Sequence, residues 1–277
     1  MAKAKLFSEA TYQRLRDALK EDIGAGDITS NLLISQNTLG KAVILARESG
    51  IFCGAPVLSC LFHFADPNLK MKFPVKEGKA FSKNKIVFEA EGNLRSILKA
   101  ERTALNLLGH LSGVATQTHA LAQKVKKFGV KILDTRKTTP LWRELEKYAV
   151  RTGGGMNHRF GLYDEIFVKE NHRLWKNLGK LSRYPRKFEI EVRNEKEIRK
   201  ALKLKPRVIL FDNFSPAKLK RAAAFVKKQD AKVICEASGG VTAANAASFA
   251  KTGVDWISSG AITHSVKSIN FSLLIIK

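Results

Sequence analysis

The sequence predicts an α/β protein in two parts, an α+β segment of about 110 residues followed by parallel strands alternating with helices. Three observations carry this reading. The chain has 277 residues, with 44% hydrophobic and 27% charged, enough to bury a sizeable core in one or two domains. Before residue 110, helical spacing and strand-like runs are mixed without a repeat. From about residue 130, short apolar runs alternate with helical segments, and from Lys169 onward the polar residues near their C-terminal ends recur every 21 to 24 residues. That interval fits a strand, a loop and a helix of about three turns. Parallel strands joined this way cross over right-handedly, giving a doubly wound sheet or a barrel.

Ser8 to Lys20 reads as a helix, with Ser8 as N-cap and Leu15 and Leu19 four apart. Gly24 to Thr29 reads as a turn. Lys41 to Arg47, Lys70 to Val75 and Lys85 to Ala90 are strand-like. Ile97 to Leu111 carries Leu98, Leu105, Leu108 and Leu111 at helical spacing. The repeating strands are Val130–Asp134, Glu165–Lys169, Lys187–Val192, Arg207–Asp212, Lys232–Glu236 and Asp255–Ser259. Near their C-terminal ends lie Asp134, Lys169, Glu191, Asp212, Glu236 and Ser259. Burying an unpaired charge is expensive, so such residues seldom end buried strands without a purpose. In a β/α barrel these ends meet on one rim, where the active site is built.

Bulk properties exclude several classes. No apolar run approaches the roughly 20 residues that span a bilayer. Met1 to Glu9 contains no apolar signal-peptide region. Cys53, Cys60 and Cys235 form no C-x-x-C pair, and free thiols fit a cytoplasmic protein. The net charge of +24 invites a nucleic-acid reading. The lysines, however, are spread along the chain and interleaved with glutamates, as in Asn194 to Lys200, which fits a solvated surface. No histidine–cysteine cluster has zinc spacing, and neither a Walker A sequence nor a G-x-S-x-G elbow occurs.

Four loops carry chemistry. Asp134-Thr-Arg-Lys-Thr-Thr-Pro140 sets two cations and three hydroxyls directly after a strand, a composition suited to carboxylates or phosphates. Arg151-Thr-Gly-Gly-Gly-Met-Asn-His-Arg159 joins a glycine triplet to His158 and Arg159, allowing positive φ and an anion-binding nest. Glu236-Ala-Ser-Gly-Gly-Val-Thr242 and Ser258-Ser-Gly-Ala-Ile-Thr263 have the form of a barrel phosphate site, or equally of tight turns with helix caps. Carboxylates at Glu191 and Asp212 amid phosphate donors point to a divalent cation such as Mg²⁺.

These residues carry a resemblance. Ile132 to Pro140, Glu146 to Asp164 and Val168-Lys-Glu-Asn-His172 are similar to quinolinate phosphoribosyltransferases. So are Glu21 to Ser30, Glu101 to Asn106, Ile190 to Val192, Leu210 to Phe214, Glu236 to Val241 and Gly260 to Ser265, in the same order. The resemblance implies an incomplete parallel β/α barrel of about six strands with an N-terminal α/β sandwich. The sandwich is expected over 1–112 with 268–277 returning to it, and the barrel over 113–267.

It also implies the reaction of quinolinate with phosphoribosyl pyrophosphate to nicotinate mononucleotide, pyrophosphate and CO₂ in NAD biosynthesis, with Mg²⁺ and no protein nucleophile. Quinolinate would be held by Arg102, Thr135, Arg136, His158, Arg159 and Lys169. Phosphoribosyl pyrophosphate would meet Lys137, Glu191, Asp212, Ser238, Gly239, Gly240, Ser259, Gly260 and Ala261. Lys137, Glu191 and Asp212 would be catalytic, and Glu191 and Asp212 would hold Mg²⁺ partly through water. A homodimer, or a higher oligomer, with Arg102 reaching the neighbour's site is part of the same implication, as is a cytoplasmic location. Other readings are a related transferase with another anionic acceptor and a non-catalytic polyanion-binding protein. One departure stands out. The family pattern has Gly after Thr-Thr-Pro, where this chain has Leu141, and a residue with a Cβ reaches positive φ only at a cost.

Overall fold

The computed structural model describes residues 6–173 and 177–276. The chain forms two compact units, one of Met1–Thr116, Thr139–Gly153 and Val266–Lys277, the other of Gln117–Thr138 and Gly154–Ser265. Among the described residues the strands are Leu39–Ala46 (β1), Gly50–Ile51 (β2), Lys70–Lys72 (β3), Ala80–Phe81 (β4), Ile86–Asn93 (β5), Lys131–Leu133 (β6), Ile166–Val168 (β7), Phe188–Val192 (β8), Val208–Asp212 (β9), Ile234–Ser238 (β10), Trp256–Ser258 (β11) and Phe271–Ile276 (β12).

In the first unit, the helix Glu9–Ile23 begins where the Ser8 side chain accepts the Thr11 N–H, and Leu15 and Leu19 on one face are buried. An antiparallel sheet has the order β12-β1-β5-β3, with Ala42 opposite Ala90 and Ile275. The helix Ala55–Ala65 buries Val57, Leu58, Leu61 and Phe62, and the Phe62 ring stands 4.7 Å from Phe88 of β5. Each such side chain contributes about 1.5–3 kcal/mol by leaving water. The helix Arg143–Thr152 buries Leu145, Ala149 and Val150, and its buried Glu146 lies 2.8 Å from His110 Nε2.

Two details differ from the sequence reading. The helix expected over 97–111 runs from Leu94 to Val125, through Gly109 and Gly113. These glycines do not break it. They admit the returning chain, since a Cβ on Gly113 would lie 2.5 Å from the Lys267 carbonyl and one on Gly109 would lie 2.7 Å from that of Ile269. The second detail is Leu141, which holds φ at 69° despite its Cβ, with Arg14 Nη1 donating to its carbonyl at 3.1 Å.

The second unit is a parallel sheet of order β6-β11-β10-β9-β8-β7. Strands β7 to β11 are neighbours in chain order, and β6 joins beyond β11, so this is the order of a barrel with one seam left open between β6 and β7. Beside β6 runs the segment around Met156, whose N–H donates to the Ile132 carbonyl at 2.8 Å while its own carbonyl accepts from Asp134 N–H at 3.2 Å. Alternation sorts the side chains. Phe188, Ile190 and Val192 of β8 and Ile209 and Phe211 of β9 are buried on one face. The other face carries Glu189 and Glu191, then Leu210 paired with both Glu191 and Glu236, then Asp212 paired with Ser238. Strand β10 reaches Ser238, two residues past the expected end, so Glu236 lies inside the strand.

Candidate active site

A cavity of about 730 Å³ opens at the C-terminal ends of the parallel strands. It brings together every residue that the resemblance assigned to the substrates or the metal except Arg102. Arg102 is exposed on the helix Leu94–Val125, 3.9 Å from Glu101.

The loop after β6 supplies Thr135, Arg136 and Lys137. Thr135 Oγ1 accepts the Lys137 N–H at 3.0 Å, and Thr263 Oγ1 donates to the Lys137 carbonyl at 2.7 Å, which ties this loop to the one after β11. The Lys137 stem passes over Gly260, where a Cβ would come within 3.0 Å of Lys137 Cδ. Asp134 does not face the cavity as an anion-binding residue. It is buried, accepting from Asn157 Nδ2 at 2.5 Å and from the His158 N–H at 2.9 Å, and so anchors the segment that fills the seam. Of the glycine triplet only Gly154 has positive φ, at 89°. Arg151 is exposed, 6.0 Å from the Tyr148 ring, and is not among the residues lining the cavity.

Arg159 and Lys169 both lie over the Phe167 ring, at 5.0 and 4.9 Å from its centroid. Arg159 is buried and donates from Nη1 to the Glu165 carbonyl at 3.1 Å. Burial, followed by the like charge of Arg136, lowers the proton affinity of the Arg159 guanidinium. Cations held at such close quarters make a strong attractor for carboxylates.

His158 Nδ1 accepts the Arg159 N–H at 2.8 Å, which leaves Nε2 as the hydrogen-bearing nitrogen, 2.8 Å from Glu189. Both ring nitrogens therefore face protein groups. Burial pulls the imidazole pKa down, but Glu189, Glu236 and Glu165 more than offset it, so the pKa is raised. Glu236 is fully buried, 3.9 Å from His158 Nε2, and burial together with Glu189 pushes its carboxyl well above the usual range. Glu189 had no place among the sequence candidates. Its signal was its position two residues before Glu191, on the same face of an otherwise apolar strand.

Glu191 and Asp212 stand at the ends of neighbouring strands on the cavity side. Burial, then the charge of Asp212, raises the Glu191 pKa. Arg193, also absent from the sequence candidates, reaches across this pair. Its Nε lies 3.2 Å from Asp212, and its Nη2 lies 3.8 Å from Glu191.

The loop after β10 is shaped by two left-handed residues, Gly239 at φ 98° and Gly240 at φ 61°. A Cβ on Gly239 would lie 2.1 Å from Asn213 Oδ1, so only glycine fits. The loop after β11 places Gly260 immediately before the short helix Ala261–His264. Ser259 Oγ donates to the Val241 carbonyl at 3.0 Å, joining the two loops.

An open β/α barrel with guanidinium and ammonium groups, glycine–hydroxyl loops and a carboxylate pair around one cavity defines an enzyme of polyanionic substrates. Residues 27–112 match the N-terminal domain of quinolinate phosphoribosyl transferase, and residues 114–274 match its C-terminal domain. The probable nicotinate-nucleotide pyrophosphorylase [carboxylating] of Methanocaldococcus jannaschii is 41% identical, over 98% of this chain and 99% of that protein. Its counterpart in Bacillus subtilis is 40% identical, over 91% and 89%. The solved structure of the nicotinate-nucleotide pyrophosphorylase from Francisella tularensis aligns with a TM-score of 0.90 at 37% identity, covering 99% of this chain and 98% of that one. The chain belongs to the quinolinate phosphoribosyltransferase family. The incomplete barrel with an N-terminal antiparallel α/β domain is the fold that the motifs implied. No helix among the described residues is long and apolar enough to cross a membrane.

Proposed function

We propose that this enzyme joins the nitrogen of quinolinate to C1 of phosphoribosyl pyrophosphate and releases pyrophosphate and CO₂, leaving nicotinate mononucleotide. The observation that carries this reading is one cavity lined together by Arg136, Arg159 and Lys169, by the carboxylates Glu191 and Asp212, and by the glycine–hydroxyl loops after β10 and β11. Arg136, Arg159 and Lys169 clamp the two carboxylates of the pyridine acid, with Thr135 beside them as a hydroxyl donor. His158 sets the clamp by accepting the Arg159 N–H and engaging Glu189. Ser238, Gly239 and Gly240, with Ser259, Gly260 and Ala261, take the 5-phosphate through backbone and hydroxyl donors. Lys137, lying over Gly260, stands between the two substrates.

Glu191 and Asp212 face the ribose. They favour positive charge developing at C1 as pyrophosphate departs, and the pyridine nitrogen attacks in line from the clamp. No side chain serves as nucleophile. The new pyridinium nitrogen stabilises the electron pair left on C2 as CO₂ departs, and a proton taken from solvent at C2 completes nicotinate mononucleotide. Glu191 and Asp212 are also hard oxygen donors on adjacent strands, and a divalent cation would relieve the repulsion from Asp212 that adds to burial in raising Glu191. Mg²⁺ would be held there, partly through water, and supplies neutralisation of the departing pyrophosphate.

The active form is a homodimer in which Arg102 completes the neighbour's clamp. Support comes from the exposure of Arg102 and from Ile28, Leu32 and Leu33, apolar and exposed on the helix Ile28–Leu33. Incubation with quinolinate, phosphoribosyl pyrophosphate and Mg²⁺ should yield CO₂ and nicotinate mononucleotide in equal amounts. Product from nicotinate but none from quinolinate would overturn the acceptor assignment.

A further inference from the structure

Arg193 lies just beyond the C-terminal end of β8, outside the machinery assigned above. Its place is fixed through the main chain. Its N–H donates to Glu197 Oε2 at 2.8 Å, and Asn194 caps the following helix by accepting the Glu197 N–H at 3.0 Å. From that anchor the guanidinium spans three carboxylates. Besides Asp212 at 3.2 Å and Glu191 at 3.8 Å, it pairs with Glu170, the first residue of the short helix after β7. One fixed cation thus sits among three anions from three successive strand ends. Two of those anions are the residues assigned above to a divalent cation.

A bare divalent cation arriving at Glu191 and Asp212 must therefore displace a charge already bound there, and Arg193 would be left with Glu170 alone. A cation arriving as its pyrophosphate complex brings anionic oxygens of its own. These give the displaced guanidinium a new partner, and guanidinium matches phosphate oxygens by bidentate bonds. We infer that Arg193 is a counter-ion that closes the Glu191–Asp212 pair to free divalent cations and hands it over to the metal–pyrophosphate form of the substrate. This inference rests on the assignment of Glu191 and Asp212 to the metal. It adds a residue that decides in which form the metal enters.

The test is binding of Mn²⁺ to the full-length enzyme, read from the electron paramagnetic resonance of the unbound ion, with and without inorganic pyrophosphate. Arg193→Gln should bind free Mn²⁺ about fivefold more tightly than the native enzyme, since one competing cation at a partly exposed pair is removed. The same variant should bind the Mn²⁺–pyrophosphate complex about fivefold more weakly, having lost a charge-assisted partner. Arg193→Lys keeps the charge and should resemble the native enzyme toward free Mn²⁺. Equal affinity of the native enzyme and Arg193→Gln for free Mn²⁺, or for the complex, overturns the inference alone. Mn²⁺ binding that persists undiminished in Glu191→Gln overturns the metal assignment, and the inference with it.

Discussion

Gly239→Ala isolates what the phosphate loop owes to glycine. Two costs add at this position. A φ of 98° is unfavourable for any residue with a Cβ, by about 1–2 kcal/mol. The added methyl would also stand 2.1 Å from Asn213 Oδ1 and 3.1 Å from Asn213 N, so Asn213 has to move, an overpacking cost of about 1–3 kcal/mol. The expected loss of stability is about 2–5 kcal/mol, read as a lower urea midpoint. Gly129→Ala provides the internal control. Gly129 has φ of 73°, but nothing lies within 4 Å of its Cβ position, so only the backbone cost of about 1–2 kcal/mol applies. The larger cost at Gly239 also has a functional side. Asn213 Nδ2 donates to Asp212 Oδ1 at 3.1 Å, so a displaced Asn213 disturbs the carboxylate proposed to face the ribose. The KM for phosphoribosyl pyrophosphate should rise about tenfold, equivalent to about 1.4 kcal/mol, while that for quinolinate changes little. Asn213→Gly, made together with Gly239→Ala, removes the obstructing side chain and relaxes a second left-handed residue at φ 57°, so it should recover most of the lost stability. Equal losses in Gly239→Ala and Gly129→Ala, with KM unchanged, would refute the steric reasoning.

Three further outcomes are expected. Leu141→Gly relieves a positive φ worth about 1–2 kcal/mol and pays about 0.5–1 kcal/mol of chain entropy, so the thermal midpoint should rise slightly; a fall would show that the Leu141 side chain stabilises the loop. Arg136→Ala and Arg159→Ala should each raise the quinolinate KM about tenfold or more, and an unchanged KM in either would remove that residue from the clamp. Glu236 has a raised pKa in the folded state, so its contribution to stability is complete below the ordinary carboxylate value and is lost as pH rises through the folded value. Glu236→Gln cannot ionise and should flatten the decline in urea-unfolding free energy over that range, whereas parallel curves for the two proteins would refute the buried-acid reading.

The strands of the second unit were legible because each sets a short apolar run against the polar loops that flank it. Phe188 to Val192 and Val208 to Asp212 are buried along nearly their whole length, as both faces of a covered parallel sheet require. The length of the helix Leu94–Val125 was not legible, because glycine in a helix signals either an end or a close approach. Only the third dimension shows that Gly109 and Gly113 receive the chain around Lys267 to Ile269. Leu141 was legible only as a conflict. The sequence shows a Cβ where the family has none, and the fold keeps the left-handed turn regardless.

Within the site, charge type was readable, but charge partnership was not. Asp134, Glu189 and Glu236 are acids near strand ends, like Glu191 and Asp212, and a linear reading cannot rank them by depth. Depth separates their chemistry. Asp134 is fully buried and its carboxylate accepts from the Asn157 side chain and the His158 N–H, so it shapes the segment that carries His158 and Arg159. Glu189 and Glu236 flank His158, where their carboxylates raise the His158 pKa against the opposing effect of burial, and burial followed by the charge of Glu189 raises that of Glu236. Glu191 and Asp212 reach the cavity and hold Arg193, an exchangeable charge. The acids proposed to take part in chemistry are therefore those whose partner is a partly exposed side chain, and the acids whose partners are main-chain or buried groups set the geometry on which that chemistry depends.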